Sequence, residues 1–309
     1  MILVKQMLVL FLLMVVGFVC RKIGLLNDES SKKISGLVVN VANPALILSA
    51  GINPESTIQG TEFLKTLCLA LAIYACLIII SFIIPRILRV PVSERGLYKV
   101  MTIFSNIGFM GFPLISAVYG DDALLYAALF MIPYNVLIYT YGLAVIKGNA
   151  GDDSEDQTSV KDTLKKVFNV GVIACILMFV LYLTRLPVPS VIEDTVDYLS
   201  NLTAPLSMII IGDSITKINF KKLLTNWRLI VFTLIKLVVI PVVGVLLLSL
   251  CGISGDLLGV CMIMLATPVG SMTVMLAEQY DGNTELAASG VAFTTVLSVI
   301  TIPIVSLLI

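Results

Sequence analysis

The chain has 309 residues, of which 20 are Lys or Arg and 20 are Asp or Glu, so its formal net charge is zero. Charged residues make up 13% of the chain, about half of the ~25% that soluble domains carry, while 58% of the residues are hydrophobic. This composition excludes disorder, nucleic-acid binding through a basic surface and a secreted disulfide scaffold as interpretations of the whole chain. A polytopic membrane protein is the class that remains.

The residue types that the chain contains also exclude several kinds of chemical site. The chain contains no His, which excludes His-based zinc sites, Ser-His triads and a His proton relay. It contains no G-x-x-x-x-G-K-[ST] segment, which excludes a P-loop for ATP. The six Cys lie in or beside apolar runs without a C-x-x-C pair, and we interpret them as small packing residues. We therefore expect no cofactor, no metal and no catalytic residue.

Ten apolar stretches are long enough to cross a bilayer as helices, which takes ~20 residues each. These predicted spans 1 to 10 cover residues 3–20, 34–52, 63–85, 98–119, 123–146, 168–185, 191–212, 227–250, 256–277 and 286–308. Four Lys or Arg residues lie in or beside each of the loops that follow spans 1, 3, 5 and 7. Because basic loops stay on the cytoplasmic side, we expect both termini outside and the protein in the cell membrane, inner or plasma.

A polar connector, residues 147–167, divides the chain into residues 1–146 and residues 168–309, with five spans each, and we expect it to be cytoplasmic. A shift of 161 residues aligns the pattern N-x-x-x-P-x-x-x-x-x-x-G of the two halves. The aligned residues are Asn40, Pro44 and Gly51 in span 2, and Asn201, Pro205 and Gly212 in span 7. Since five is odd, the second half would cross the membrane upside down. The sequence thus predicts an all-α protein of two inverted five-helix repeats, an architecture of secondary transporters.

Spans 4 and 9 both contain helix-breaking residues at matched depth. These residues are Gly108, Gly111 and Pro113 in span 4, and Pro268 and Gly270 in span 9. We predict that each span consists of a half-helix, a short extended break and a second half-helix. In span 9, Thr267 is predicted as the N-cap and Pro268 as the first residue of the second half-helix. The alternative is a proline kink in an ordinary packing helix.

Half-helix N-termini present unpaired N–H groups and about half a positive charge, which suits an anion and most simply a carboxylate. Polar side chains near the breaks and on the facing spans are the candidates for substrate binding. They are Ser105, Asn106, Thr267, Ser271, Asn40, Asn43 and Asn135. Each is equally compatible with a hydrogen bond between helices, which is worth about 0.6 kcal/mol.

Three charged residues need separate interpretation. Lys236 lies in the middle of span 8, where burial of its charge costs about 2.5–3.5 kcal/mol or more. It is either a counter-charge for an anionic substrate or a donor to backbone carbonyls freed by Pro241. Asp213 and Glu278 lie near the ends of spans 7 and 9, and are either solvated caps or groups that couple transport to protons or sodium.

Three motifs together resemble the auxin efflux carrier family, whose bacterial members are often described as malonate or malate permeases. They are N-x-x-N-P at residues 40–44, S-N-x-G-F-x-G-F-P at residues 105–113 and T-P-x-G-S at residues 267–271. The resemblance covers nearly the whole chain. It implies ten transmembrane helices with helices 4 and 9 crossed at their prolines. Spans 1, 2, 6 and 7 would form a scaffold, and spans 3–5 and 8–10 a transport domain that moves as an elevator.

The resemblance also bears on single residues. Asn106 stands where the plant carriers have a substrate-contacting Asn, and Asn135 resembles a polar position of their span 5. The expected function is therefore a secondary transporter of a small organic anion, a mono- or dicarboxylate. A non-transporting sensor or channel is one alternative. An intramembrane enzyme built on Asp121 and Asp122 is the other. We expect the bilayer and the anion as partners and no nucleic acid; the oligomeric state is open, a homodimer included.

Overall fold

The computed structural model describes residues 2–52, 60–147, 168–216, 225–280 and 282–309. The predicted connector lies, but for residue 147, outside these described residues. Within the described ranges, all regular secondary structure is helical, and the only other backbone pairing is one isolated bridge between Ser105 and Val269.

Each predicted span coincides with one or two α-helices. In chain order these helices are α1 (Ile2–Lys22), α2 (Asp28–Leu37), α3 (Asn43–Ser49), α4 (Gly60–Ile87), α5 (Val92–Ile103), α6 (Phe112–Tyr119), α7 (Leu124–Leu137), α8 (Leu143–Lys147), α9 (Val170–Thr184), α10 (Ser190–Ser200), α11 (Thr203–Ile215), α12 (Trp227–Leu234), α13 (Ile240–Leu250), α14 (Gly255–Ala266), α15 (Met272–Gln279) and α16 (Thr284–Ser306).

Four continuous helical segments are long and apolar enough to cross a bilayer. They are Thr61–Ile87, Asp121–Ile146, Trp227–Leu250 and Thr284–Ser306. Three shorter apolar helices accompany them, at Ile107–Tyr119, Val170–Thr184 and Gly255–Ala266. These segments agree with a polytopic membrane protein. The count of ten spans and the inverted repeat stay predictions.

Prolines shape three of the spans by widening the helix just before them. Proline has no N–H, and its ring clashes with the carbonyl four residues earlier, so the preceding turn loosens. A turn of π-helix accommodates the extra width. Three π turns end two residues before a proline: Val38–Ala42 before Pro44, Ile107–Gly111 before Pro113, and Ile235–Val239 before Pro241.

Helices α1 and α11 pack closely because each has a glycine at the contact. A Cβ atom on Gly212 would overlap the carbonyl oxygen of Met14, and one on Gly17 would overlap that of Ile209. Small residues allow two helix backbones to approach in this way, which is the common device of membrane helix pairs. This contact joins predicted spans 1 and 7.

Helices α3 and α9 form a second close pair, which joins predicted spans 2 and 6. A Cβ atom on Gly51 would lie 2.5 Å from the carbonyl oxygen of Met178. Gly51 and Gly212 are the aligned glycines of the two halves. Each of them therefore allows the backbone of another helix to approach closely.

The remaining helices pack in two further groups. Helix α4 lies against α5 and α7, while α14 lies against α13 and α16. The two groups meet where α6 contacts α14 and where α15 contacts α5. These contacts bring the broken spans 4 and 9 together. The division of the chain into a scaffold and a transport domain stays a prediction.

We predict that Gly212→Ala lowers the stability of the protein by about 1–3 kcal/mol, because the new methyl group overlaps the backbone of α1. The control is Gly36→Ala in α2, where a Cβ atom meets nothing within 4 Å. That change should leave stability equal or raise it, since Ala favours helix by up to about 1 kcal/mol. Thermal unfolding of both purified variants in detergent is the measurement. Equal midpoints for the two variants would contradict the close packing of α1 on α11.

Candidate functional site

The breaks of spans 4 and 9 lie side by side and form the centre of the candidate site. Helix α5 ends at Ile103 and helix α14 at Ala266. The short extended stretches that follow, residues 104–106 and residues 268–270, run antiparallel. We call these two stretches the crossing.

Backbone hydrogen bonds join the two stretches of the crossing. The N–H of Asn106 donates to the carbonyl oxygen of Pro268 at 2.7 Å, and the N–H of Gly270 donates to that of Phe104 at 2.9 Å. At membrane depth no water satisfies backbone groups that a helix leaves free, so one break satisfies the other. A Cβ atom on Gly270 would lie 3.0 Å from the carbonyl oxygen of Ser105, which explains a glycine there.

The helix boundaries in span 9 differ from the prediction. Thr267 is not the N-cap of a second half-helix; it is the C-cap of α14, with extended backbone angles. Pro268 is likewise not helical but lies in the crossing. The reason is that a residue before proline is driven out of the helical region. Ser271 is the N-cap of the second half-helix, α15, although its side chain forms no capping bond.

The structure also locates the break of span 4. It lies at residues 104–106, ahead of Gly108 and Gly111, which belong to the π turn that restarts the helix, and of Pro113 in α6. The side chain of Asn106 caps this π turn, because its Oδ1 accepts the N–H of Phe109 at 3.4 Å.

Thr294 of α16 supports the crossing from the side. Its hydroxyl oxygen accepts the N–H of Val269 at 3.1 Å, and its hydroxyl donates to the carbonyl of Gly290 in its own helix at 2.7 Å. The side chain is fully buried. In the stretch 268–270, Pro268 has no N–H and the N–H of Gly270 is paired with span 4. Thr294 therefore satisfies the one N–H that remains, that of Val269.

Lys236 lies beside the other stretch. Its Nζ donates to the hydroxyl of Ser105 at 2.7 Å and to the carbonyl oxygen of Thr102 at 3.1 Å, and the side chain is 0% exposed. The carbonyl belongs to the last turn of α5, where the helix dipole is negative. Lys236 thus donates to a backbone carbonyl as one interpretation expected, but the carbonyl is freed by the end of α5 and not by Pro241.

Two buried amide atoms near the crossing have no hydrogen-bond partner within the part of the chain that the structure describes. They are Nδ2 of Asn106 and Oδ1 of Asn43. The side chain of Asn43 lies against Gly108, where a Cβ atom would be 3.4 Å from its Nδ2. Buried amide groups without partners are rare in proteins, and a bound ligand is one way to satisfy them.

Helix α11, which contacts the same π turn, carries two more buried polar groups. It packs against Ile107–Gly111 and carries Thr203 and Ser207, four residues apart and so on one face. Their hydroxyl oxygens have no hydrogen-bond partner among the described residues. With Asn43 and Asn106, spans 2, 4 and 7 thus each carry at least one buried polar group without a partner among the described residues.

The remaining candidates lie elsewhere or are already bonded. Asn40 is exposed and donates to the carbonyl of Gly36 in its own helix at 2.8 Å. Asn135 is buried in α7, where it donates to the carbonyl of Met131 and accepts a hydrogen bond from Asn169, the N-cap of α9. Their hydrogen bonds to described residues thus lie outside the crossing, although Tyr134, next to Asn135, packs on Phe104 of the crossing.

The two candidates for coupling differ in their surroundings. Glu278 is exposed at the end of α15. Asp213 is 1% exposed, and its Oδ1 lies 3.5 Å from Nη1 of Arg21. Arg21 also donates to Asp28 at 2.9 Å, so it connects the ends of α1, α2 and α11. Asp213 therefore takes part in an ion pair that holds these three helices together.

A cavity of about 220 Å³ lies away from the crossing, at the ends of several helices. Its lining includes Glu62 and Lys65 of α4, Tyr126 of α7 and Asp256 of α14. No residue of the crossing lines it. It is a polar surface depression, and the closed crossing itself is not open to it.

Thr203, Ser207 and Thr294 were not predicted from the sequence. A Thr or Ser in an apolar helix most often bonds to a carbonyl of its own helix, as Thr295 does with Val291. Nothing in the sequence separates Thr294 from its neighbour Thr295. Only the position of α16 beside span 9 distinguishes them.

The chain is similar over its full length to proteins of one kind. The membrane transport protein family model matches residues 2–306. An uncharacterized transporter of Methanocaldococcus jannaschii is 26% identical over 304 residues, which cover 96% of this chain and 95% of the relative. An uncharacterized transporter of Escherichia coli K12 is 18% identical over 303 residues, with 97% and 96% covered. A Rhizobium meliloti protein named "Putative malonate transporter" is 23% identical, with 94% and 91% covered.

We predict that Thr294→Val opens the crossing, while Thr295→Val does not. The first change leaves the buried N–H of Val269 without an acceptor, which costs about 1–3 kcal/mol. The second removes only a bond from Thr295 to its own helix. Hydrogen exchange followed by mass spectrometry should show faster exchange of the peptide around Val269 in the Thr294 variant alone. Equal protection in both variants would remove Thr294 from the support of the crossing.

Proposed function

Because this chain belongs to the membrane transport protein family, the auxin efflux carrier family that its motifs resemble, we propose that it moves a small organic anion across the membrane as a secondary transporter. The chain is an integral membrane protein of a transporter family. The proposal adds the substrate class, a mono- or dicarboxylate, and the mechanism.

One observation carries the substrate class. At the crossing, Nδ2 of Asn106 is an amide donor that has no partner in the described part of the chain. It lies next to Ser105, whose hydroxyl accepts a hydrogen bond from the buried ammonium of Lys236. Because the ammonium offsets the negative end of α5, the free amide donor is the group that favours an anion. A carboxylate accepts several hydrogen bonds at once and so suits such a group of donors.

The proposed binding residues are Asn106 and Asn43, with Ser207 and Thr203 on the facing helix. The crossing positions Asn106 in this proposal. It is shaped by Ser105, Thr267 and the breaks at Pro268 and Gly270. Ser271, at the N-terminus of α15, is a further donor in this proposal. Lys236 lies behind Ser105 and offsets the negative end of α5.

The packing of the helices supports an elevator mechanism. Spans 1 and 7, and spans 2 and 6, are joined by close glycine contacts, which favour a rigid scaffold. The crossing belongs to spans 4 and 9, while Asn43 and Ser207 belong to spans 2 and 7. We therefore propose that the anion binds between a fixed and a moving part. Displacement of the moving part would then expose the site to one side of the membrane after the other.

Malonate is the substrate that we propose to test first. A relative that is 23% identical has malonate in its name, and malonate is a dicarboxylate of the size that the proposal asks for. We propose the cell membrane as the location, with both termini outside.

The alternatives have less support. A sensor or channel leaves two features unexplained: the crossed, broken helices, and the buried amide atoms that have no partner among the residues described. The intramembrane enzyme depended on Asp121 and Asp122. Asp121 is exposed and accepts a hydrogen bond from Ser116 near the end of α6, which is the contact of a helix-end cap.

The function is tested by uptake of radiolabelled malonate into liposomes that contain the purified protein, followed by a panel of other mono- and dicarboxylates. We expect uptake of at least one of them above empty liposomes. Absence of uptake and of exchange for the whole panel, with folded protein, would contradict the proposed substrate class.

We predict that Asn106→Ala lowers transport about 10- to 100-fold, since a hydrogen bond to a charged group is worth about 1.5–3 kcal/mol. The matched control is Asn40→Ala, which removes an exposed Asn that bonds only within its own helix. It should transport like the wild type. Thermal unfolding should show both variants folded. Wild-type transport by the Asn106 variant would remove this residue from the site.

A further inference from the structure

The partners of Lys236 are of an unusual kind for a buried ammonium. Its Nζ contacts two oxygens, the carbonyl of Thr102 and the hydroxyl of Ser105, at 3.1 and 2.7 Å. Among the described residues, no carboxylate lies within ion-pair distance of it. A buried Lys is usually paired with an acid. Here the compensating negative charge is the C-terminal end of helix α5.

This set of ligands is one that binds metal cations in transporters with broken helices. Freed carbonyls and the C-terminal ends of half-helices coordinate the coupling ion in such proteins, and hydroxyl and carbonyl oxygens are what hard cations prefer. Thr102 is in the last turn of the half-helix α5, and Ser105 is in the crossing. The Nζ of Lys236 therefore takes the place that a free cation would take.

We propose that Lys236 is a built-in cation that fills a cation site at the end of α5, so that transport of the anion requires no sodium. The inference rests on the proposed function and deepens it, because it names how the charge of the crossing is balanced. The ammonium is held by span 8 and bonded to span 4, and it neutralises the end of α5 without an ion from solution.

The arrangement also explains why the charge is tolerated. The π turn Ile235–Val239 before Pro241 contains Lys236, and it widens the helix at the point where the side chain turns inward to the crossing. The side chain is completely buried, so water does not reach the two oxygens that it contacts and cannot take the place of the ammonium. Removal of the side chain would leave an empty site with its ligands in place.

The chemical test uses Lys236→Ala. The atoms that this variant lacks correspond to n-propylammonium, which should bind in the space that they leave. We expect n-propylammonium to raise the thermal midpoint of the variant by about 3 °C, as ligand binding to a folded protein does, with sodium as the second cation to test. The wild type and the control Lys33→Ala, which removes an exposed Lys paired with Glu29, should show no rise. This measurement reads the cation site whether or not the substrate has been identified.

The transport test compares sodium with potassium and choline at the same membrane potential. Wild-type uptake should be equal in all three. Lys236→Ala should lose at least about 90% of uptake, and n-propylammonium or sodium should restore part of it. Lys236→Gln, which keeps donors but has no charge, should be folded and inactive. The Gln variant therefore still tests the need for the charge if the Ala variant does not fold.

Three results would overturn the proposal. The first is a requirement of the wild type for sodium. The second is wild-type uptake by either variant in the absence of an added cation. The third is a folded Lys236→Ala protein whose stability and uptake respond to neither cation. Failure of all carboxylates in the wild type, together with a stability response in the Ala variant, would contradict the proposed substrate and leave the cation site in place.

Discussion

The need to satisfy backbone polar groups inside a membrane governs the centre of this molecule. Two helices are interrupted at the same place, and each interruption frees N–H and carbonyl groups that lipid cannot solvate. The structure meets this need by pairing one break with the other through Asn106 and Gly270. Thr294 and Lys236 satisfy what the pairing leaves, one as an acceptor and the other as a donor.

The crossing has a further consequence for charge. The end of α5 carries the negative pole of a helix, and the ammonium of Lys236 lies directly on it. Spans 2, 4 and 7 instead carry buried amide and hydroxyl groups that have no hydrogen-bond partner among the described residues. The end of α5 is thus neutralised, while the amide of Asn106 has a donor to spare among the described residues, which is why we propose that the anion binds beside it.

Much of this architecture was predictable from residue types whose effect is local. A proline loosens the helical turn before it, which gives the π turns before Pro44, Pro113 and Pro241 a local cause. Other prolines, such as Pro85 and Pro133, lie inside continuous helices. The glycines aligned between the halves indicated a shared role. The exact position of each break was less predictable: Thr267 ends a helix instead of starting one, because the constraint before proline outweighs the capping preference of Thr.

The sequence by itself determined the membrane class, the apolar helices, the family and the two breaks, because these depend on hydropathy, on proline and glycine geometry and on motifs that are local along the chain. The tertiary structure decided which polar groups meet. It brought Lys236 to Thr102 and Ser105 across more than a hundred residues, left Asn40 bonded within its own helix and brought Thr294 to Val269. A buried polar side chain acquires its role from its partners, and those partners are set by the packing of distant helices.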